Sequence, residues 1–412
     1  MQKPLDAPRL LRLAENHGTP LWVYDAEVIR QRIRTLKSFD TIRYAQKACS
    51  NTHILRLMRQ EHVAVDSVSS GEIDRALQAG YSSLGESAEI VFTADVIDPS
   101  TIAKVIEHRI PVNAGSIDML QQLGERAPGH PVWLRINPGF GHGHHNKVNT
   151  GGESSKHGIW HEDLPAAIQA IRKHGLRLVG LHMHIGSGVD YQHLEHVCQT
   201  MVTLVKSAGH DLEAISSGGG LSVNYLDSDP VVDTEHYFGL WDIARSEIAA
   251  FLGHPVRLEI EPGRYLMAEC GLLLSEVLAT KGMGRNHFVL VDAGFNDLMR
   301  PAMYGSYHAI SVVPRDGGLR ETRMTLVAGP LCESGDVFTQ EEGGIVAPRL
   351  LPAAQVGDLV VFHDTGAYGA TMSSNYNSRP LAAEVLLDGV SERLIRRRQT
   401  IEDLMLLEDV IS

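Results

Sequence analysis

The feature that most constrains the fold is an alternation of short β-branched runs with longer amphipathic segments, from about residue 42 to residue 265. Runs of the first kind are typical of buried strands, and segments with apolar residues at helical spacing are typical of helices. The predicted strands are Ile42–Ala45, Val63–Val68, Ile90–Thr93, Ile110–Asn113, Val132–Ile136, Leu178–His184, Ala214–Ser217 and Val256–Ile260. The predicted helices between them include Ser69–Ala79, Pro99–His108, Leu164–His174 and Tyr237–Leu252. About eight such units predict an α/β fold, a (β/α)8 TIM-like barrel.

The pattern changes after about residue 270, where strand-like runs are separated by clusters of Gly, Pro and Asp. These runs are His287–Asp292, Met324–Ala328, Asp358–His363 and Ala383–Leu387. They predict a C-terminal antiparallel β domain, with which the short run Leu21–Tyr24 is expected to pair. We therefore expect a barrel over residues 26–270 and a β domain over residues 271–412, with residues 1–25 packing on the latter.

Composition excludes several classes of protein. A chain of 412 residues with 43% hydrophobic content can bury a large core. Its formal net charge of −13 argues against a nucleic-acid partner, which needs clustered Lys and Arg. The one basic run, Arg396–Arg398, is expected to be a solvated strand end. Neither the first ten residues nor any later stretch has the apolar length of a signal peptide or membrane span, so no membrane partner is expected.

The cysteines point to a reducing compartment. Four of them, at positions 49, 198, 270 and 332, are scattered without paired metal spacing, so no metal is expected and the cytoplasm is the predicted location. Gly and His alternate in Gly139–His145. We interpret that segment as a mobile loop at the barrel mouth rather than a metal site, because no carboxylate or Cys accompanies its histidines.

Polar and Gly-rich residues follow most of the barrel strands, and the carboxyl ends of such strands meet at one mouth where barrel enzymes hold their sites. Lys47 follows the first strand, and an amine there could form a Schiff base. The consecutive glycines Gly218–Gly220 let backbone N–H groups close around a phosphate, to which Ser187 could add a hydroxyl. His184 could stack on a planar ring, and the carboxylate of Glu261 could keep a pyridine nitrogen protonated.

Each of these residues also has an ordinary interpretation when taken alone. Lys47 could be a solvated lysine, the glycines a tight turn, His184 a structural histidine, and Glu261 the partner of Arg264 in an ion pair. Together, an amine, a phosphate cradle, a stacking ring and a carboxylate are the groups that a pyridoxal-phosphate site requires.

The motifs Tyr44–Ala48, Asp66–Ser69, His182–Gly188, Gly218–Gly220 and Glu261–Arg264 resemble those of the fold-type III pyridoxal-phosphate decarboxylases, a family with a barrel and a β domain. The resemblance runs from end to end of the chain. It implies pyridoxal 5'-phosphate as cofactor, Lys47 as the Schiff-base lysine and Glu261 at the ring nitrogen. The other cofactor contacts that it implies are Asp66, a stacked His184, Ser187, Gly219, Gly220, Gly263, Arg264 and Tyr368.

The C-terminal half is similar to the diaminopimelate decarboxylases of that family rather than the ornithine decarboxylases, through Phe295–Pro301 and Gly329–Asp336. The resemblance implies decarboxylation of meso-2,6-diaminopimelate to L-lysine and CO2, the last step of lysine biosynthesis. It places Arg264, Arg300 and Tyr304 on a substrate carboxylate, Glu333 on the distal ammonium and Tyr368 near substrate and cofactor. Cys332 resembles a proton donor supplied across a dimer interface, so a homodimer with shared active sites is implied. Without the resemblance, Arg300 would be interpreted as an ordinary loop residue and Cys332 as a buried thiol.

Three alternatives stay open at this point. The first is a decarboxylase of another basic amino acid or of a carboxylated polyamine, against which Glu333 and the Arg300 motif argue. An isomerase is the second, but its ring nitrogen needs an arginine where this chain has Glu261. The third is a non-catalytic pyridoxal-phosphate-binding homologue, and the joint presence of Lys47, Cys332, Glu333 and Tyr368 favours an active enzyme.

Overall fold

The computed structural model describes residues 6–84, 88–140, 151–184, 190–226 and 228–408. In chain order the strands are β1 (Leu21–Asp25), β2 (Thr41–Ala45), β3 (Ala64–Ser67), β4 (Ile90–Ala94), β5 (Val112–Ala114), β6 (Pro131–Asn137), β7 (Ile159–Trp160), β8 (Arg177–His182), β9 (Ala214–Ser216), β10 (Arg257–Ile260), β11 (Gly271–Met283), β12 (Asn286–Val291), β13 (Ile310–Val313), β14 (Thr322–Ala328), β15 (Arg349–Pro352), β16 (Leu359–Phe362), β17 (Ala383–Asp388) and β18 (Ser391–Arg396).

The α-helices are α1 (Ala7–His17), α2 (Ala26–Arg34), α3 (Thr52–Gln60), α4 (Ser70–Gln78), α5 (Pro99–Glu107), α6 (Ile117–Gly124), α7 (Leu164–His174), α8 (Tyr191–Ala208), α9 (Thr234–Leu252), α10 (Arg264–Met267), α11 (Arg300–Tyr304) and α12 (Ile401–Met405). The chain divides into two compact units, one of residues 31–222 and 231–266 and the other of residues 1–30, 223–230 and 267–412. The domain bounds expected from the sequence, 26–270 and 271–412, stay a prediction.

The first unit is a closed parallel barrel. Its strands pair in the order β5, β4, β3, β2, β10, β9, β8, β6, and a further pairing of β5 with β6 closes the ring, while β7 pairs with β6 outside it. The predicted barrel is therefore confirmed, with every strand predicted to within two residues of its observed ends.

Local sequence explains where the barrel helices begin and end. The carboxylate of Asp98 accepts hydrogen bonds from the backbone N–H groups of Ser100 and Thr101 at the start of α5, and Ser69 caps α4 in the same way. Such caps satisfy N–H groups that have no partner within the helix. Gly175, at a φ of 63°, ends α7 in the left-handed conformation that glycine adopts without strain.

The inside of the barrel is partly polar, whereas barrel interiors are usually filled by branched apolar side chains. Arg43 on β2 and Glu259 on β10 are 4% and 3% exposed, and Nη2 of the arginine lies 2.8 Å from Oε2 of the glutamate. Because a buried charge without a partner is costly, the pairing allows both side chains to lie inside the barrel.

The second unit is built on a mixed sheet in the order β15, β14, β12, β11, β1, β17, β18, with β16 pairing to β11 and β13. Most pairings are antiparallel, as the sequence predicts, but β1 runs parallel to β17 and β12 parallel to β14. The prediction that Leu21–Tyr24 joins this sheet is confirmed, since β1 lies between β11 and β17. Leu13, Leu21, Leu274 and Val361 belong to its apolar core.

Over the described ranges, none of the helices has both the length and the apolar character that a membrane crossing requires.

Candidate active site

The carboxyl ends of neighbouring barrel strands bring the predicted cofactor residues together. Ala45 on β2 is in register with Asp66 on β3, and the Ala45 N–H donates to the carbonyl of Pro262 beyond β10. Lys47 follows in a short 3-10 turn over Gln46–Ala48, where its side chain is exposed. Its charge acts on Asp66, so the amine and this carboxyl belong to one cluster.

Glu261 is held in the ionised state by a histidine. Its Oε2 lies 2.7 Å from Nε2 of His182 at the end of β8, and both side chains are almost fully buried. Burial alone would raise the pKa of Glu261, but the contact with His182 and the charges of Arg43 and Arg135 lower it below its usual range. A carboxylate that stays charged in a buried place can keep a proton on a basic ring nitrogen.

Asp66 has the opposite behaviour. Burial, followed by repulsion from Glu261, raises its pKa to about 8, although Thr93 and Lys47 oppose the change. Its Oδ1 is buried and has no hydrogen-bond partner among the described residues. Two neighbouring carboxyls with pKa values pushed apart provide one proton donor and one anion near neutral pH.

The glycine turn after β9 has no room for side chains. A Cβ on Gly218 would lie 2.3 Å from the carbonyl oxygen of Met183, and one on Gly219 would lie 2.5 Å from that of Glu261. Gly218 and Gly220 also have φ values of 63° and 110°, which L residues rarely adopt. The turn therefore requires glycine, and its bare backbone can approach a phosphate group closely.

His184 presents a neutral ring. Its Nδ1 accepts a hydrogen bond of 2.9 Å from the Gly219 N–H, which leaves the ring proton on Nε2. Burial and the charges of Arg135 and Lys47 lower the pKa of His184 well below its usual value. A neutral, half-buried imidazole next to the glycine turn suits the predicted stacking role.

Three of the four remaining residues predicted to contact the cofactor lie within the described part of the chain. Gly263 is buried after β10, and Arg264 is the first residue of α10. Tyr368, in the second unit, has a φ of 56°, a strained value for a tyrosine. Ser187 lies outside the described residues, as does most of the loop Gly139–His145.

The barrel residues fit pyridoxal phosphate. Besides the lysine amine, the carboxylate and the glycine turn, buried polar atoms at the strand ends have no hydrogen-bond partner in the described part of the chain. They are Oε1 of Gln46, Oδ1 of Asp66, Oδ1 of Asn113 and Nδ1 of His182. Because buried polar atoms are normally satisfied, this end of the barrel is built for a polar ligand.

Arg300, predicted to bind a substrate carboxylate, begins helix α11 and is only 5% exposed. The interpretation as an ordinary loop residue is therefore wrong. Its Nη1 donates to the hydroxyl of Tyr225 at 2.7 Å and its Nη2 to Ser306 at 3.2 Å, and the guanidinium lies 5.0 Å from the Tyr225 ring centroid. Tyr304 ends the same helix and is half-buried.

Cys332 and Glu333 lie on an exposed loop, so the interpretation of Cys332 as a buried thiol is also wrong. The backbone N–H of Cys332 donates to Oδ1 of Asn377 at 2.9 Å. The carboxylate of Asp336 accepts from the N–H groups of Phe295 and Leu331. These contacts fix the backbone of the loop while leaving the thiol and the Glu333 carboxylate accessible.

Sequence reasoning missed two side chains that orient predicted site residues. In the sequence His182 is only the first residue of the motif His182–Gly188, although its spacing of two residues from His184 would, in an extended segment, turn both histidines to one side. Tyr225, which holds Arg300, lies in a stretch without any motif, and no signal in the sequence could have identified it.

Comparisons with known proteins agree with the geometry. Residues 25–268 match the family model described as pyridoxal-dependent decarboxylase, pyridoxal binding domain. The chain is 65% identical over 407 residues to diaminopimelate decarboxylase of Escherichia coli K12, covering 98% of this chain and 97% of that protein. A crystal structure of a diaminopimelate decarboxylase, 64% identical, matches with a TM-score of 0.97 over 99% of this chain and 98% of that chain. The Helicobacter pylori diaminopimelate decarboxylase complexed with L-lysine is 32% identical, with a TM-score of 0.85 over 97% of this chain and 99% of that chain.

Proposed function

We propose that this chain, which belongs to the pyridoxal-dependent decarboxylase family, is a diaminopimelate decarboxylase. It converts meso-2,6-diaminopimelate to L-lysine and CO2, the last step of lysine biosynthesis. The observation that carries this conclusion is the cluster of Lys47, the glycine turn and the Glu261–His182 pair at one end of the barrel. That cluster lies in a chain that matches the enzyme over nearly its full length.

Pyridoxal 5'-phosphate, when bound, supplies an electron-withdrawing ring that takes up the electron pair left behind by the departing CO2. The amine of Lys47 would hold its aldehyde carbon. Gly219 and Gly220 would bind the phosphate through the turn, together with Ser187, Gly263 and Arg264. The neutral ring of His184, fixed by the Gly219 N–H, would pack against the face of the cofactor.

Glu261 keeps the ring nitrogen protonated in this assignment. The carboxylate is held charged by His182, whose Nε2–H points at Oε2. Asp66 stays protonated near neutral pH because burial raises its pKa to about 8, so its hydroxyl can donate a hydrogen bond to an acceptor on the cofactor. The isomerase alternative is disfavoured, since a ring nitrogen kept protonated by ionised Glu261 would make the ring a stronger electron sink than an isomerase needs.

Substrate binding uses the residues that the family resemblance implies. Arg264, Arg300 and Tyr304 would bind a carboxylate, and the side chains of Glu333 and Tyr368 would contact the substrate's distal end and its reacting end. Diaminopimelate differs from lysine by one carboxylate, which a guanidinium binds in bidentate fashion. A buried Arg300 without that partner would penalise ornithine or lysine by roughly 10⁴-fold.

Cys332 would return a proton to the carbon that has lost CO2. An acid placed in this way typically contributes about 10²–10⁴ in rate. We further propose that the thiol acts across the interface of a homodimer, that the barrel and β domain span residues 26–270 and 271–412, and that the enzyme works in the cytoplasm.

A substrate panel tests the assignment. Purified holoenzyme is given meso-diaminopimelate, L-lysine, L-ornithine and L-arginine in parallel, and CO2 release and amine products are measured. We expect turnover of meso-diaminopimelate alone, with L-lysine as product. Faster turnover of ornithine would remove the role assigned to Arg300, and the absence of CO2 from every substrate would favour a non-catalytic homologue.

A further inference from the structure

A cavity lies at the opposite end of the barrel from the candidate active site. It has a volume of about 580 Å³, within the range of small-molecule sites. Its wall includes the first residues of five barrel strands, which are Thr41, Ala64, Pro131, Arg177 and Arg257. We call this cavity the N-terminal mouth. Barrel enzymes carry out their chemistry at the other end, so a ligand here would not be the substrate.

Among the described residues, the lining of the N-terminal mouth has five arginines against four carboxylates, one of which, that of Asp40, is paired with Arg245 outside the lining. Among its lining residues, Arg43 is paired with Glu259 and Arg59 with Glu89. A single carboxylate, that of Glu213, serves both Arg177 and Arg257. One of these two arginines therefore has no carboxylate of its own, although the overall charge of the chain is strongly negative.

Two further basic side chains of the lining, His62 and Arg109, have no hydrogen bond or ion pair to any other described residue. The positive field of Arg109 and Arg177 reaches the neighbouring His130, whose pKa is lowered by burial and by these two charges. The guanidinium of Arg109, without a carboxylate among the described residues, would attract an anion into the cavity.

The backbone of the same two residues is strained. His62 and Arg109 follow the ends of α3 and α5 with φ values of 60° and 51°. The left-handed residue that follows α4, α7 and α9, one or two positions past the helix, is a glycine, which is the usual residue there because it has no Cβ. Non-glycine residues in this conformation cost energy and concentrate at functional sites. Both exceptions line the N-terminal mouth.

We propose that the N-terminal mouth is a second binding site, which takes a small phosphate- or carboxylate-bearing anion on Arg109, His62 and one of the two guanidinium groups that share Glu213. Strain at positions 62 and 109 is the cost of placing two basic side chains where glycine would otherwise follow the helix. Charge-assisted hydrogen bonds to an oxyanion, which are stronger than those between neutral groups, would offset that cost.

Isothermal titration calorimetry on the holoenzyme tests the proposal, because bound cofactor already occupies the phosphate cradle at the other end. Inorganic phosphate and succinate are titrated separately, which distinguishes a phosphate ligand from a carboxylate ligand. We expect one site per chain for at least one probe. Arg109→Gly and Arg109→Gln should each weaken binding at least tenfold, whereas the surface variant Arg285→Gln, which removes the same charge elsewhere, should bind like the wild type.

The two Arg109 variants separate binding from folding. Gly is compatible with the left-handed position, so R109G should unfold at the wild-type temperature or a few degrees above it. R109Q removes the charge and keeps the strained backbone. Wild-type affinity in both variants would overturn the proposal, and so would the absence of any binding heat from both probes at about 10 mM.

Discussion

Removing the histidine that contacts Glu261 should move the pH dependence of catalysis. In His182→Phe the ring volume is kept but the donor 2.7 Å from Oε2 is lost. A hydrogen bond to a charged group contributes about 1.5–3 kcal/mol, and each pKa unit corresponds to about 1.4 kcal/mol, so the pKa of Glu261 should rise by about 1–2 units. Because catalysis requires ionised Glu261, the acidic limb of the kcat/KM profile should move to higher pH by the same amount.

The assay is steady-state CO2 release from meso-diaminopimelate across the pH range, at saturating cofactor. His254→Phe is a matched control, since it removes a histidine whose Nε2 also lies 2.7 Å from a carboxylate, that of the exposed Asp211. H254F should leave the profile unchanged, and His182→Gln, which can donate through its amide, should shift it less than H182F. An unmoved acidic limb in H182F, or an equal shift in H254F, would refute the reasoning.

Three other perturbations follow from the site. Gly219→Ala places a Cβ 2.5 Å from a carbonyl oxygen, so the backbone of the turn must move at a cost of about 1–3 kcal/mol. This variant should bind the cofactor more weakly in a spectroscopic titration. The control Gly239→Ala, in open space on α9, should bind it as the wild type does. Tyr225→Phe removes the hydrogen bond that positions Arg300. A loss of about 1 kcal/mol should raise KM about fivefold with kcat retained, and an unchanged KM would contradict the positioning role of Tyr225. The pKa of Asp66 is raised to about 8 in the folded chain, against 3.8 as its ordinary value. Between these two pH values the unfolded chain has already lost the Asp66 proton and the folded chain still holds it, so the free energy of unfolding of the cofactor-free protein should fall as pH rises. Urea midpoints of Asp66→Asn should therefore depend less on pH in that interval, and an equal dependence counts against the explanation.

The barrel could be predicted because its signal is local. Each strand is a β-branched run bounded by turn residues, and several helices carry their own capping side chain, as Asp98 does for α5. The parallel pairings of β1 with β17 and of β12 with β14 could not be predicted, since they join segments whose separate patterns contain no information about their partner.

The candidate site, too, could be predicted only in part from the sequence. Lys47, Glu261 and the glycine turn could be predicted, because polar residues at strand ends in a barrel must meet at one mouth. The partner of Glu261 could not, since His182 is one of several polar residues at strand ends until the register of the sheet is known. The N-terminal mouth was also missed, because left-handed backbone at His62 and Arg109 leaves no mark in the residue types.

The central claim is that an amine, an acid and a glycine turn at the barrel strand ends bind one pyridoxal phosphate. Borohydride reduction of the holoenzyme, followed by proteolysis and mass spectrometry, tests it most directly. A single phosphopyridoxyl group on the peptide that contains Lys47 is the predicted result. A label on a different lysine, or a protein that retains no cofactor however much is supplied, would contradict the account.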